Sequence, residues 1–185
     1  MEIKTIEQMN EITADVRSTF GMLAPEQLNW KPSETEWSVA QCLDHLIKTN
    51  SEMLPAIDAK IAGAPNTFWE KWSPLTGYFG RFLVNSLPVD KKKFKVPSKS
   101  IAPPSSIPGD IVDRFADNQS VVIEKIVALD GLDWERIVVT SPFMGLMTYR
   151  LSDGITILVE HEKRHVRQAK RVMEREGFSM ATAVV

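Results

Sequence analysis

The sequence predicts an all-α protein built as a four-helix bundle. Four long segments carry apolar residues at intervals of three and four, which is the pattern of a helix with one buried face. There is little strand signal, and the connections between the segments hold prolines and turn-forming residues. Because 185 residues suffice for one sizeable core, we expect residues 1–185 to form a single domain.

The first helix is predicted over residues 5–23. Six side chains recur there at helical spacing and form one buried stripe: Ile6, Met9, Thr13, Val16, Phe20 and Leu23. Gly21 near its end and Pro25 just beyond it favour a stop. A loop that contains Pro32 follows.

The second helix is predicted over residues 38–62. Ser38 is placed to cap its N-terminus, and Gln41 three residues later completes a capping box. Trp37, just before the cap, can form the hydrophobic staple. Pro55 lies inside the segment, and since proline removes a helical hydrogen bond, we expect a kink or a break there.

The connection over residues 64–107 is the least regular part of the chain. Its first half is rich in aromatic residues, and we expect it to be packed on the bundle with a short helix around residues 77–86. Its second half is rich in proline and serine and predicts an extended crossing loop. A cluster of four lysines is interpreted as a solvated stretch: Lys91, Lys92, Lys93 and Lys95.

Two further helices complete the predicted bundle. The third is expected to begin near Pro108, which is a good first-turn residue. The apolar run over residues 137–139, in the next connection, can extend locally. The fourth helix is predicted over residues 152–176, and Gly177 supplies its C-terminal stop.

Composition and charge exclude several classes of protein. Hydrophobic residues make up 43% and charged residues 25%, and the formal net charge of -2 indicates no nucleic-acid-binding surface. The N-terminal segment lacks the apolar core of a signal peptide, and no apolar run is long enough to predict a membrane span. The single cysteine, Cys42, rules out an internal disulfide framework, so we expect a cytoplasmic protein.

The chain has three histidines, and two of them lie four residues apart in the fourth predicted helix. Residues at positions i and i+4 share a helical face, so His161 and His165 can chelate one ion together. Imidazole suits zinc, copper, iron and nickel. His45, on a flank of the second helix, is the candidate for a third ligand. Three protein ligands with one open coordination position are typical of a catalytic metal site. Spacing alone leaves open that all three are interior histidines without a metal.

For the residues next to the histidines we favour structural roles over roles at a metal site. Gln41 is expected to cap the second helix, with the metal or its water as the alternative partner. Cys42 is expected to be a buried small hydrophobe. Asp44 and Glu162 point about 100° away from the neighbouring histidines along their helices, so we interpret both as surface or salt-bridge residues.

The remaining candidates lie further from the histidines. Gln168 can orient the ring of His165 or a neighbouring loop, whereas Arg164 and Arg167 are expected on the solvated face. Trp30 and Trp37 are expected to pack their loop onto the bundle. Four aromatic residues are expected in the core or a dimer interface, with a substrate pocket as the alternative: Trp69, Trp72, Tyr78 and Phe79.

Two stretches of the chain resemble signatures of the DinB-like family. In the first, EWSVAQCLDHL over residues 36–46, a tryptophan-serine helix start is followed by a histidine seven residues after the serine. The second, HEKRHVRQA over residues 161–169, resembles the closing HxxxH signature with its glutamine. The order of the helices and the proline-rich segment agree with the family, so the resemblance covers nearly the whole chain.

The resemblance implies a DinB-like bundle with helices in up-down-down-up order and a long connection between the second and third. It implies a divalent metal ion (nickel, zinc or iron) bound by three histidines, which correspond to His45, His161 and His165. It also implies the family's activities, which include thiol transfer with low-molecular-weight thiols, maleylpyruvate isomerisation and loosely defined hydrolysis. Homodimers are common in the family.

We therefore expect a divalent-metal-dependent enzyme with a small-molecule substrate, and we favour a thiol-dependent transferase slightly over a hydrolase. Such an ion lowers the pKa of a bound water or thiol toward neutrality. Two alternatives stay open: a non-catalytic metal-binding or stress-associated bundle, and a purely structural one. The sequence indicates no individual catalytic residue and no particular substrate.

Overall fold

The computed structural model is dominated by helices, and it describes residues 2–87 and 99–178. Its long helices are α1 (Glu2–Phe20), α3 (Val39–Ile61), α6 (Ile111–Val127) and α7 (Leu151–Met173). Its short helices are α2 (Pro25–Asn29), α4 (Phe68–Trp72) and α5 (Thr76–Ser86), with a 3-10 turn at Lys99–Ile101. Strands β1 (Val138–Thr140) and β2 (Thr148–Arg150) form one antiparallel hairpin. The predicted all-α class is confirmed.

The four long helices enclose a common core. Helices α1 and α3 each pack against both α6 and α7. All four helices contribute fully buried apolar side chains to this core, among them Met9, Phe20, Leu43, Leu46, Phe115, Ile126 and Ile155. Burying one side chain of this size stabilises the fold by about 1.5–3 kcal/mol, so the core holds the helix faces in place. The up-down-down-up order of helix directions stays a prediction.

The predicted helices are present, with ends that differ by a few residues. Helix α1 ends at Phe20, before the predicted stop, because Gly21 and Leu23 already form a tight turn after it. Helix α6 begins at Ile111, slightly after Pro108, and α7 ends at Met173. The short helix predicted around residues 77–86 is present as α5, and the apolar run over residues 137–139 leads into β1. The lysine cluster over residues 91–95, which was interpreted as a solvated stretch, lies outside the described residues.

The break that Pro55 predicts does not occur, because α3 is continuous from Val39 to Ile61. Pro55 lies on the exposed side of the helix, where the carbonyl that loses its partner faces water. Met53 and Ile57, on either side of it, are buried in the core and hold both halves of the helix against the neighbouring elements.

The aromatic residues of α4 and α5 lie largely on the surface, so the predicted core packing is wrong. Phe68, Trp72 and Tyr78 are 78%, 71% and 64% exposed, respectively. Helix α4 is attached through a buried ion pair between Glu70 and Lys60 at 2.9 Å, and α5 packs against β2 and α7. Dimer packing of these side chains stays a prediction. No described helix is both long and apolar enough to cross a membrane.

The start of α3 is fixed by the predicted capping box, which is confirmed. The Ser38 hydroxyl accepts a hydrogen bond from the Gln41 backbone N–H at 3.1 Å, and the Gln41 side chain accepts one from the Ser38 N–H at 3.1 Å. The Gln41 amide also donates to the carbonyl of Pro104 at 2.8 Å. The cap therefore ties α3 to the connection that precedes α6.

Replacing the capping serine should destabilise the fold. We expect Ser38→Ala to lower the free energy of unfolding by about 1 kcal/mol, because the Gln41 N–H loses its partner at a buried helix end. Urea denaturation measures the change. Ser51→Ala is the matched control, since the Ser51 hydroxyl is exposed and bonds the Ile47 carbonyl within the same helix. Equal effects of the two substitutions would contradict the role of the cap.

Candidate metal centre

Two packed helices bring the three histidines together. His45 lies in the second turn of α3, and His161 and His165 lie on successive turns of α7. The ring centroid of His45 is 5.2 Å from that of His161 and 4.7 Å from that of His165, and the last two are 4.6 Å apart. One nitrogen from each ring lies within 4.8 Å of the others. Helices α3 and α7 pack directly against each other, which joins residues 116 positions apart.

The nitrogen positions fit a shared metal ion. The Nδ1 atom of His45 lies 2.8 Å from the carbonyl oxygen of Ile101. Because a carbonyl can only accept, Nδ1 carries the proton, and in the neutral ring Nε2 carries the lone pair. That Nε2 is 3.3 Å from Nε2 of His161. Two nitrogens that each lie 2.0–2.1 Å from a tetrahedral ion are about 3.3 Å apart, so the separation of this pair is compatible with shared ligation.

His165 supplies a second indication of an ion. Its Nδ1 atom is buried and has no hydrogen-bond partner in the described part of the chain. A buried polar atom without a partner costs free energy, and a metal ion is one group that would satisfy it. The donor set of three imidazoles suits nickel, zinc and iron.

Burial keeps the three imidazoles neutral. It lowers the pKa of His45, which is 3% exposed, against the opposing effect of the Ile101 hydrogen bond. Burial lowers the pKa of His161 to about 3, with further contributions from His45 and from the charge of Arg164. Burial also holds the pKa of His165 well below its ordinary value of 6.5. Since metals bind neutral imidazole, these rings need lose no proton at neutral pH.

Trp37 covers two of the rings, a role that the sequence reasoning missed. Its ring stacks on His165 with centroids 5.7 Å apart and planes inclined by 25°, and it lies 4.9 Å from the ring of His45. We expected Trp37 to act only as a staple that packs its loop. Its position immediately before the cap of the helix that carries His45 is the signal that could have indicated this contact.

Glu162 was predicted at the surface, and this was wrong. Its side chain is 0% exposed and accepts hydrogen bonds from Asn50 at 2.8 Å and from Gln119 at 2.7 Å. Burial raises the pKa of Glu162 to about 7, although both hydrogen bonds act in the opposite direction. The sequence held a signal for this position, because Leu158 and Val166, four residues away on either side, belong to the apolar stripe of α7.

The predictions for the other residues near the histidines are only partly confirmed. Cys42 is buried as predicted, and burial raises the pKa of its thiol to about 12, so it is unsuited to act as a nucleophile. Asp44 forms the predicted salt bridge, with Lys48 at 2.8 Å, but is itself buried. Arg164 was expected on the solvated face; it is half-buried and lines a cavity instead. Gln168 lines the same cavity as His165, and its role in orienting that ring stays a prediction.

The cavity beside the rings has a volume of about 930 Å³ and is lined by all three histidines. Small-molecule sites typically measure about 300–1,000 Å³. Much of the wall is apolar and comes from α3, from the hairpin and from the connection between its strands: Met53, Phe143, Met144, Met147 and Tyr149. The site can therefore admit a small molecule next to a metal ion.

Comparison with known proteins identifies the family. The family model described as the DinB superfamily matches residues 8–169, a span that includes all three histidines. The chain belongs to the DinB superfamily. This DinB protein is also 30% identical over 170 residues to the uncharacterized protein YuaE of Bacillus subtilis (strain 168), and the match covers 90% of this chain and 95% of YuaE. No solved structure matches the chain significantly.

Removing the buried carboxylate of Glu162 should lower the stability of this DinB protein. We expect Glu162→Ala to lower the free energy of unfolding by about 2–4 kcal/mol, because it removes the acceptor of the buried Gln119 amide, leaves the Asn50 amide only its bond to Asn118, and opens a cavity. Urea denaturation at neutral pH measures the loss.

Two variants control for that measurement. Glu162→Gln should lower the free energy of unfolding clearly less. The Gln119 side chain has a buried amide oxygen without a partner among the described residues, and it can turn this oxygen toward the new NH₂ group. Glu160→Ala removes a carboxylate that pairs with Lys163 on the outer side of the same helix. A Glu162→Ala protein as stable as Glu160→Ala would refute the buried network.

The stack of Trp37 on the histidines predicts an optical signal. A paramagnetic ion held by the rings should quench Trp37 fluorescence, because the indole lies within 6 Å of two of them. Titration of the metal-free protein with Ni²⁺ should therefore lower the emission, and Trp37→Phe should remove most of that change. Trp72→Phe, which alters an exposed indole, should leave the change intact. Equal quenching in the two variants would place the ion elsewhere.

Proposed function

We propose that the protein is a divalent-metal-dependent enzyme whose metal ligands are His45, His161 and His165. The observation that carries this proposal is the convergence of three neutral imidazoles at the wall of a cavity large enough for a small molecule. Three neutral ligands leave the ion its full charge and leave positions for other ligands, as catalytic sites do. When bound, a divalent ion lowers the pKa of a water or thiol placed next to it.

The residues around the histidines support such a site in distinct ways. The Ile101 carbonyl fixes the tautomer and the orientation of the His45 ring. Trp37 covers the rings and limits the access of water from one side. The methionines and aromatic residues of the cavity wall form an apolar surrounding, in which the charge of an ion acts more strongly on a substrate than in water.

The chemistry of the wall favours thiol transfer over hydrolysis. Hydrolysis by an activated water gains from a general base next to the metal. Among the described lining residues the acidic one is Glu36, and it is paired with Arg175 at 3.3 Å. Glu162 is engaged by Asn50 inside the bundle. A low-molecular-weight thiol supplies its own nucleophile and depends less on such a base, so we favour a thiol-dependent transferase, with a hydrolase as the alternative.

The cavity also bears on the non-catalytic alternative. A metal-binding or stress-associated module needs only a closed site, whereas this one adjoins a cavity with several polar groups, which favours an enzyme. The expected homodimer and the cytoplasmic location belong to the same proposal. The exposed aromatic side chains of α4 and α5 support the homodimer, because they supply an apolar surface that a second copy can cover.

Loss of one histidine should abolish metal binding. After incubation with Ni²⁺, Zn²⁺ or Fe²⁺ and desalting, elemental analysis should find about one ion per chain in the natural protein and only background in His161→Ala. Lys163→Ala, which alters a side chain on the opposite side of α7, should retain the metal. An unchanged metal content in His161→Ala would refute the ligand assignment.

A screen for activity separates the two reactions. We supply the metal-loaded protein with several cellular thiols and electrophiles, and with esters and amides in the absence of thiol, using His45→Ala as the blank. Metal-dependent loss of thiol supports the transferase. Turnover of esters or amides without thiol would replace it with the hydrolase.

A further inference from the structure

Beside the histidines, the C-terminal part of α7 carries a row of cations that lines the same cavity. Arg164 and Arg171 lie seven residues apart in α7 and, at 100° per residue, within about 20° of one another around the helix, and Arg175 follows just after the helix ends at Met173. All three line the same cavity as the histidines. The row therefore forms one positively charged side of that cavity.

The described lining of the cavity has an excess of positive charge. Its three arginines face a single acidic residue, Glu36, which leaves a formal excess of two positive charges while the histidines are neutral. The whole chain has the opposite sign, with a formal net charge of -2. The positive charge is therefore a local property of the cavity, and a positive cleft with apolar walls attracts anions.

Helix stability alone does not explain the whole row. Cations near a helix C-terminus interact favourably with the helix dipole, and this accounts for Arg171 in the last turn of α7. Arg164 lies more than two turns before that end, beyond the reach of this effect. It is half-buried and donates to the carbonyl of Leu87 at 3.2 Å, which holds it at the cavity wall. A guanidinium has five N–H donors, so it can serve a carbonyl and a carboxylate together.

The dimensions indicate an elongated ligand. With a rise of 1.5 Å per residue, Arg171 lies about 9 Å along the axis from His165, whereas Arg164 is level with the histidines, so a carboxylate bound by both arginines lies between these two levels. The connection between the two strands contributes Met144 and Met147 to the cavity wall, and methionine adapts to irregular apolar shapes. The cavity thus offers a reactive end, an apolar middle and a row of guanidinium groups.

We propose that the cavity selects an elongated organic anion, whose carboxylate is bound by Arg164 and Arg171 and whose apolar body lies against the methionine wall. This inference rests on the proposed function, because the reacting group of the substrate is placed at the histidines. Bidentate geometry makes guanidinium groups well suited to carboxylates. Arg164 and Arg171 are thus specificity-determining residues that contact the substrate.

A matched pair of probes tests the charge preference in the metal-free protein. We measure by isothermal titration calorimetry the binding of 4-phenylbutyrate and of its neutral amide, 4-phenylbutanamide. The acid should bind at least about tenfold more tightly, because only the carboxylate forms charge-assisted hydrogen bonds with arginine. Arg164→Gln/Arg171→Gln should reduce this ratio to within about twofold. Lys163→Gln, which removes a cation that is not among the lining residues of the cavity, should leave the ratio unchanged.

Salt dependence supplies a test that needs no variant. Raising the salt concentration from about 50 to about 500 mM should weaken binding of the acid but not of the amide. Equal binding of the two probes, no measurable binding of the acid, or a ratio that survives the double substitution would each overturn the inference. The proposed function can fail independently of this inference. If the protein takes up no metal but prefers the acid, only the proposed metal-dependent enzyme is refuted. If the protein binds metal but binds both probes equally, only the anion selection is refuted.

Discussion

The geometry of the centre depends on the axial register between α3 and α7. Apolar side chains along this interface tolerate small shifts, but the hydrogen bond between Asn50 and Glu162 does not, because its strength falls steeply with distance and angle. Asn50 follows His45 by just over one helical turn, and Glu162 is the residue after His161. A buried polar contact so close to the rings specifies how the two helices meet, and a one-turn slip would separate the imidazoles by about 5 Å.

The parts that could be predicted from the sequence are those with a local cause. Helical periodicity revealed the four long helices, and the capping box placed the start of α3 at Ser38. The spacing of His161 and His165 indicated a chelating pair, but whether His45 meets them depends on how α3 packs on α7, which no local pattern determines. The resemblance to a family supplied the expectation that the three converge.

The parts that were missed depend on distant contacts or on a wrong choice between competing signals. Glu162 was assigned to the surface because it points about 100° away from the neighbouring histidines, although its place in the apolar stripe of α7 indicated burial. The Ile101 carbonyl comes from an irregular connection, where any residue can supply the same backbone atom. Trp72 and Tyr78 were assigned to the core or a dimer interface because they are aromatic, but both are largely exposed. Helix α4 is attached to the rest of the protein through Lys60 and Glu70.

The hydrogen bond that His45 makes to Ile101 links the character of the metal centre to a segment outside the long helices. A carbonyl that accepts from Nδ1 pushes electron density onto the far nitrogen of the ring and makes it a better Lewis base. The strength of that donation follows the path of the backbone just before α6. Relatives that lengthen or shorten this segment can thus shift the affinity and preference of the site among ions while every histidine stays in place.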